Sequence, residues 1–556
     1  MTTKLTFAKE AVSIWIPAIA VCFAVLAAQG QQPAGGVQST AQSQPPAKAQ
    51  NTVKPKPETH ITPQQAQQLF SLVDDLLKFA SQETGLPVKS EVKRRLTTRD
   101  AVQSYLTEKL NDDKDAKRMQ RSEIVLQKFG LLDRDFDLKP FLLILMNEQI
   151  EAYYDPKTKT VNLLDWIGVD DQKPVLAHEL THALQDQHVD LEKWSDQTPD
   201  DVSLNSADDT VHLAKDEEDD AREAVSEGQA TAVMMDNYLK PKGMSLIKDP
   251  EVAELIKQHM SSSADSPVLA RAPLLLSESL LFPYREGLSF EQDVWMDKGQ
   301  TAAFAGALDH PPTSTWEIIN PREYEKGHIP PVPLLPNIHP LVDTLYRPYD
   351  IGQVGQLDVH ILTGLFGGDD AARNLTPAWD GGIYWAGQLR NAVTPAQQDS
   401  TASIALFYLS AWRSAPAAQS FARLYASELG RKYSGLKHDK TSANSAPAGG
   451  DEQVYTTDEG PVVITTRGKL VFVSESFPLD LARKLTALIL DAQGSGAMQM
   501  AGASRPSVAP GDPKVDSVAL LQPREPLSAS FVRFFSSCGV MKVAVDAEKL
   551  SAVQSK

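Results

Sequence analysis

Cysteine is almost missing from this chain: Cys22 and Cys538 are the only two in 556 residues. With Cys22 inside an apolar leader, the remainder forms no internal disulfide, so an exported protein of this composition depends on its hydrophobic core. Positive charge is short as well, since 54 Lys and Arg face 72 Asp and Glu for a formal charge of −18. A nucleic-acid partner demands a basic patch, and no Lys/Arg cluster interleaved with aromatics occurs, which argues against one. The densest basic run, Lys89 to Arg99, reads as a helix face or loop. No phosphate loop is present either, because Gly364 to Gly368 lacks the Lys-Ser/Thr that would follow it. Internal repeats are absent.

One apolar run is long. Lys4 and Lys9 precede the stretch from Ala11 to Ala28, which closes on Ala28-Gln29-Gly30. Residues 1–28 thus read as a signal peptide or an uncleaved signal anchor, with Cys22 a minor alternative as a lipid-attachment residue. The expected location is exported: periplasmic, secreted, or anchored to the outer face of the cytoplasmic membrane through residues 11–28. Residues 29–62, rich in Pro, Gln and Ala, form a flexible linker. A chain of this length needs more than one core. The pattern divides it into a catalytic domain at 63–345, an α+β accessory domain at 346–491 and a flexible tail at 492–556 that holds one strand, Met541 to Val545. The fold class is α+β.

Leu69, Leu72, Val73, Leu76, Leu77 and Ala80 form a helical stripe over Pro63 to Thr84, and helices follow around Arg99 to Leu110 and Lys114 to Phe129. Phe141 to Leu145 and Val161 to Leu164 read as strands about a turn at Asp155 to Thr158. A strand pair over Tyr153 to Leu164 offers an edge to an extended peptide, so Asn162→Pro is expected to weaken peptide binding without loss of metal. Gly327 to Pro348 is an extended connector whose His328 and His339 take surface roles. Further on, Gly382 to Leu389 and Ser403 to Leu409 are strands, Ala415 to Leu429 a helix, Arg467-Gly468 a hairpin turn, and Leu479 to Leu490 a helix.

The sharpest signal is His178-Glu179-Leu180-Thr181-His182. Residues four apart lie one turn above each other on a helix, so both imidazoles reach one metal ion. Glu179 then reaches a water on that ion as general base. Chance alone gives such a pattern on the order of one or two times per hundred chains of this size, so its context matters. Val175, Leu176, Ala177, Ala183 and Leu184 supply helical apolar spacing on a segment opened by Asp171 and Pro174. A catalytic zinc needs a third protein ligand and an open position. Glu223 and Glu227 share one face of the helix over Ala221 to Tyr238; Glu227 is preferred because Gly228 beside it admits a second helix closely, with Glu223 the alternative. The Asp216 to Asp220 run before them reads as a solvated acidic face. Tyr284 and Arg285 are candidates for stabilising an oxyanion.

The stretch Ala177 to Leu191, AHELTHALQDQHVDL, followed by REAVSEGQAT at Arg222 to Thr231, resembles a group of bacterial metallopeptidase-like proteins of the gluzincin branch of the zincins. The resemblance continues in Tyr153-Tyr154-Asp155-Pro156, Phe282 to Gly287, His310 to Thr315 and Trp379-Asp380-Gly381, with Asn320-Pro321 standing where His-Pro is expected. It implies a zincin-like, mainly helical catalytic domain with a small antiparallel sheet. It also implies Zn2+ on His178, His182 and Glu227, and Glu179 as base. The expectation is a zinc metallopeptidase acting on a peptide or protein substrate. The alternatives are a non-catalytic envelope binding or assembly protein of the same fold, and a zinc amidase.

Overall fold

Thr62 starts the first helix, α1 (Pro63–Thr84), with a capping box: its hydroxyl accepts from Gln65 N at 3.3 Å while the Gln65 side chain accepts from Thr62 N at 2.8 Å. The computed structural model describes residues 60–111, 113–195, 205–252, 254, 266–440 and 450–493. The leader, the linker before residue 60 and the Met541 to Val545 strand lie outside the described residues. No helix among the described residues is long and apolar enough to cross a membrane.

After α1 come β1 (Lys93–Thr97), α2 (Arg99–Asn111), α3 (Asp113–Phe129) and α4 (Leu138–Gln149). The basic run thus contains an edge strand, where Lys and Arg suit a solvent-facing row of backbone groups. Phe141 to Leu145 is helical, not extended. Leu138, Leu142, Leu145, Met146 and Gln149 are its buried positions, spaced for one helix face, and a short apolar run cannot distinguish this from a strand. Then follow β2 (Ala152–Asp155), β3 (Thr160–Leu164), α5 (Val169–Val189), α6 (Leu191–Trp194), α7 (Ser206–Lys215), α8 (Glu218–Leu239) and α9 (Leu274–Lys298).

β1, β3 and β2 form a three-stranded sheet in that order, parallel between β1 and β3 and antiparallel between β3 and β2. Asn162 is in the central strand, paired with Arg95 on one side and Tyr153 on the other. The free edge beside the motif helix therefore belongs to β2, and a proline at 162 would break the sheet rather than probe its edge.

The second half holds β4 (Tyr346–Gln353), α10 (Gln356–Leu375), β5 (Trp379–Leu389), β6 (Ile404–Trp412), α11 (Ala415–Lys432), β7 (Lys437–His438), β8 (Asp451–Thr457), β9 (Gly460–Arg467), β10 (Leu470–Glu475) and α12 (Leu479–Gln493). These strands build a seven-stranded antiparallel sheet in the order β4-β5-β6-β10-β9-β8-β7. Gly468, at φ 61, makes the β9–β10 turn. Side chains alternate across the sheet: Leu406, Tyr408, Val462, Ile464, Val471 and Val473 enter one core, while Phe407, Leu409, Val463 and Phe472 enter another with Leu485 and Ile489 of α12. The first core is continuous with the N-terminal helices, Phe129 of α3 meeting Tyr384 edge-on at 5.3 Å. The architecture is α+β.

The acidic run and His339 lie deeper than their sequence suggests. Asp216, Glu217, Asp219 and Asp220 are each at most 1% exposed, so the acidic run is interior. Asp216 accepts from the backbone N–H of Gln353, and Glu217 accepts from the Thr315 hydroxyl at 2.8 Å. These partners lie some hundred residues away in sequence, which is why the run alone looked solvated. His339 is likewise buried between Asp209 at 3.1 Å and Asp343 at 3.2 Å, whereas His328 stays exposed beside Glu323.

Candidate metal centre

Three helices meet at the motif. α5 begins at Val169, two residues before Asp171, so Pro174 falls inside the helix. Its apolar side, with Val175, Leu176, Leu180, Ala183 and Leu184, enters the core, which holds the backbone rigid beneath the histidines. α8 presents small residues to its neighbours, and Gly228 faces Gly287 of α9. A Cβ on Gly228 would sit 2.3 Å from the Gly287 carbonyl, and one on Gly287 would sit 2.1 Å from the Ala224 carbonyl. Only glycine at both positions lets these backbones touch, as the Glu-Gly dipeptide led one to expect.

That contact sets Glu227 against α5. Its Oε2 lies 2.9 Å from His178 Nε2 and 3.5 Å from His182 Nε2, and the two Nε2 atoms are 2.9 Å apart. All three residues are buried, and they form the group that offers one ligand atom each toward a common point among the described residues. A tetrahedral zinc with bonds of about 2.0–2.1 Å keeps its donors roughly 3.3 Å apart, so this two-nitrogen, one-oxygen set fits the ion with small adjustments. Glu223, one turn earlier on α8, is not part of the group.

The electrostatics follow from burying one carboxylate with two imidazoles. Burial pulls the His178 pKa down to about 4, against the hydrogen bond that Glu227 accepts from it. Burial also acts to lower His182, but the charge of Glu227, its hydrogen bond and the charge of Glu179 outweigh it and push His182 up to about 9. Burial would raise the Glu227 carboxyl, yet the imidazoles hold it below the usual range and ionised. Glu179 is 1% exposed, close enough to His182 for its charge to be felt there.

Tyr284 on α9 stacks its ring on that of His178, centroids 6.1 Å apart and planes at 25°. Arg285 turns elsewhere, pairing with Glu278 at 2.6 Å and Glu286 at 3.0 Å. Two turns beyond Glu179, Asp186 accepts from the Tyr154 hydroxyl and from Lys159 Nζ, each at 2.7 Å, and so ties the β2–β3 hairpin to the motif helix. A cavity of about 240 Å³ opens there, lined by Lys89, Ser90, Tyr154, Lys159, Asp186 and Gln187. Gln185 went unremarked in the sequence, although it lies three residues after His182. Its Oε1 is 2.8 Å from His182 Nδ1. Comparison of the chain with protein-family models, with curated proteins and with solved structures gave no match.

Proposed function

We propose that this chain is a zinc-dependent hydrolase of peptide bonds, with His178, His182 and Glu227 holding the ion and Glu179 as general base. The observation that carries this reading is the convergence of three buried donor atoms, 2.9–3.5 Å apart, beside a second carboxylate, Glu179, that is not one of them. A purely structural site closes its coordination with protein ligands, whereas three ligands and a neighbouring base suit catalysis. Bound there, zinc supplies a Lewis acid that polarises a carbonyl and acidifies water.

Glu179 does the proton work. Following His178 on α5, it takes the proton of the attacking water and delivers it to the departing amine. Ionised Glu227 contributes negative charge that balances the cation. Tyr284, whose ring stacks on His178, is the proposed donor of a hydroxyl to the developing oxyanion. A peptide is the favoured substrate because β2 is an edge strand anchored to α5 through Tyr154 and Asp186, and edge strands take extended chains by main-chain hydrogen bonding. The apolar stretch from Ala11 to Ala28 carries the chain to or across a membrane.

Cleavage of a peptide library by the zinc-loaded chain, beside Glu179→Gln, tests the proposal. Wild type is expected to cleave while Glu179→Gln keeps its zinc and loses about 10²–10⁴ in rate. Equal cleavage by both would sink the assignment.

A further inference from the structure

The imidazole of His182 belongs to a chain of hydrogen bonds that can run in only one direction. Gln185 and Gln229 are fully buried, and Ser226 is 5% exposed. Gln229 Nε2 lies 2.9 Å from the carbonyl oxygen of Ala303 and 3.0 Å from that of Phe304, at the π-helical turn Ala302–Gly306 that follows α9. Carbonyl oxygens only accept, so Gln229 must turn its amide N–H groups toward the π turn. Its Oε1 therefore faces Gln185, whose Nε2 donates to it at 2.9 Å and to the carbonyl of Ser226 at 2.9 Å. Gln185 has then spent both N–H groups, and its Oε1 faces His182 Nδ1 at 2.8 Å.

An oxygen at that distance requires a proton on Nδ1. The Ser226 hydroxyl lies 3.3 Å from both Gln185 Oε1 and His182 Nδ1; it donates to the Gln185 oxygen and offers its own oxygen to the Nδ1 proton, and since Gln185 Oε1 can only accept, the proton stays on Nδ1. Burial pushes the Glu291 carboxyl of α9, beside Gln229, well above its ordinary value, and the carbonyls of Ala303 and Phe304 fix the Gln229 amide by geometry. Amide orientations are usually ambiguous, but here two independent sets of backbone carbonyls fix them. π-Helical turns concentrate at functional sites because they reorient backbone groups in this way.

We propose that the carbonyls of the Ala302–Gly306 turn, acting through Gln229 and Gln185, hold the proton of His182 on Nδ1 and so present its Nε2 lone pair to the metal. Gln185 and Gln229 are positioning residues in this scheme, which rests on reading the three donors as a metal site. His178 is not prepared in the same way, because its Nδ1 is buried without a hydrogen-bond partner among the described residues. The two histidines therefore differ in how firmly each is set before metal arrives.

The test uses the full chain labelled with ¹⁵N-histidine and two readouts. One is the hydrogen-bonded Nδ1–H resonance of His182 in metal-free protein, assigned by its loss in His182→Gln. This resonance is expected whether the ring is neutral or cationic. The other is zinc affinity by chelator competition. Wild type should show the resonance. Gln185→Met should lose it and bind zinc about 10–100-fold more weakly, the usual effect of removing a group that orients a ligand. Gln185→Glu, which still accepts from Nδ1–H, should restore the resonance and most of the affinity. Gln229→Leu should speed exchange of the Nδ1 proton even where Gln185→Met fails to fold. A resonance and affinity unchanged in Gln185→Met, or an exchange rate unchanged in Gln229→Leu, overturns the proposal. A wild type that shows the resonance but takes up no zinc would instead refute the hydrolase reading and leave the hydrogen-bond chain standing.

Discussion

Replacing Gly228 by alanine adds one methyl group at the point where α8 and α9 touch backbone to backbone. The new Cβ would lie 2.3 Å from both the carbon and the oxygen of the Gly287 carbonyl, where ordinary contact begins at 3.4 Å. The obstacle is main chain, which has no rotamer to change, so α9 must retreat by about 1 Å against a close-packed interior. Overpacking of this kind costs about 1–3 kcal/mol, and a backbone obstacle belongs at the upper end. Alanine recovers about 1 kcal/mol of helix propensity. The net expectation is a loss of about 2 kcal/mol, or a drop in Tm of roughly 2 °C for a folded unit of this size. The metal site should suffer more than the fold, because Glu227 is the adjacent residue and its Oε2 must stay 2.9 Å from His178 Nε2. Thermal unfolding of the metal-free chain and chelator competition for zinc measure the two effects separately. Gly287→Ala should behave alike, and the double variant should lose less than the sum, since both methyls separate the same helices. A Gly228→Ala chain that melts with wild type and binds zinc equally would refute this account of the interhelical contact.

Glu217 gives a pH-dependent expectation. Burial, then the charges of Asp358 and Asp216, push its carboxyl up to about 8 from 4.5. Its stability contribution is therefore full below pH 4.5 and is lost as pH rises through about 8. Glu217→Gln should exceed wild type in stability by on the order of 3 kcal/mol at pH 8 and match it at pH 4, read by denaturant titration at both pH values. In the interior between α11 and β10, Glu475 accepts from Lys432 Nζ and from the hydroxyls of Tyr425 and Tyr433. Glu475→Gln leaves a buried ammonium without its counter-charge and should cost about 3–5 kcal/mol in urea unfolding; a loss within error of zero would contradict this view of the network. Tyr284→Phe keeps the ring on His178, so zinc affinity should hold while hydrolysis falls about 10²–10³-fold. Full turnover in that variant would remove Tyr284 from the mechanism.

Local chemistry was legible in the sequence wherever one element carried it. The stripe over Pro63 to Thr84 gave α1 with its bounds, and the apolar spacing about His178 gave α5. Gly228 pointed to a close second helix because only glycine tolerates that contact, although nothing in the pattern said its partner was Gly287. Features that depend on distant partners were hidden. The acidic run at Asp216 to Asp220 is interior because Gln353 and Thr315 receive it, and His339 is buried because Asp209 does. Phe141 to Leu145 misled for a different reason, being too short for its periodicity to separate helix from strand. Gln185 carried a usable signal, its i, i+3 spacing from His182. Its role emerges only once Ser226 and Gln229 are beside it.

The most direct test of the metal centre is zinc content by elemental analysis of the purified chain, equilibrated at submicromolar free zinc, with His178→Ala and Glu227→Ala in parallel. One zinc per wild-type chain, lost or strongly weakened in both variants, is the expected result. A wild type that holds no zinc, or variants that hold it as well as wild type does, would contradict the assignment of His178, His182 and Glu227 as its ligands.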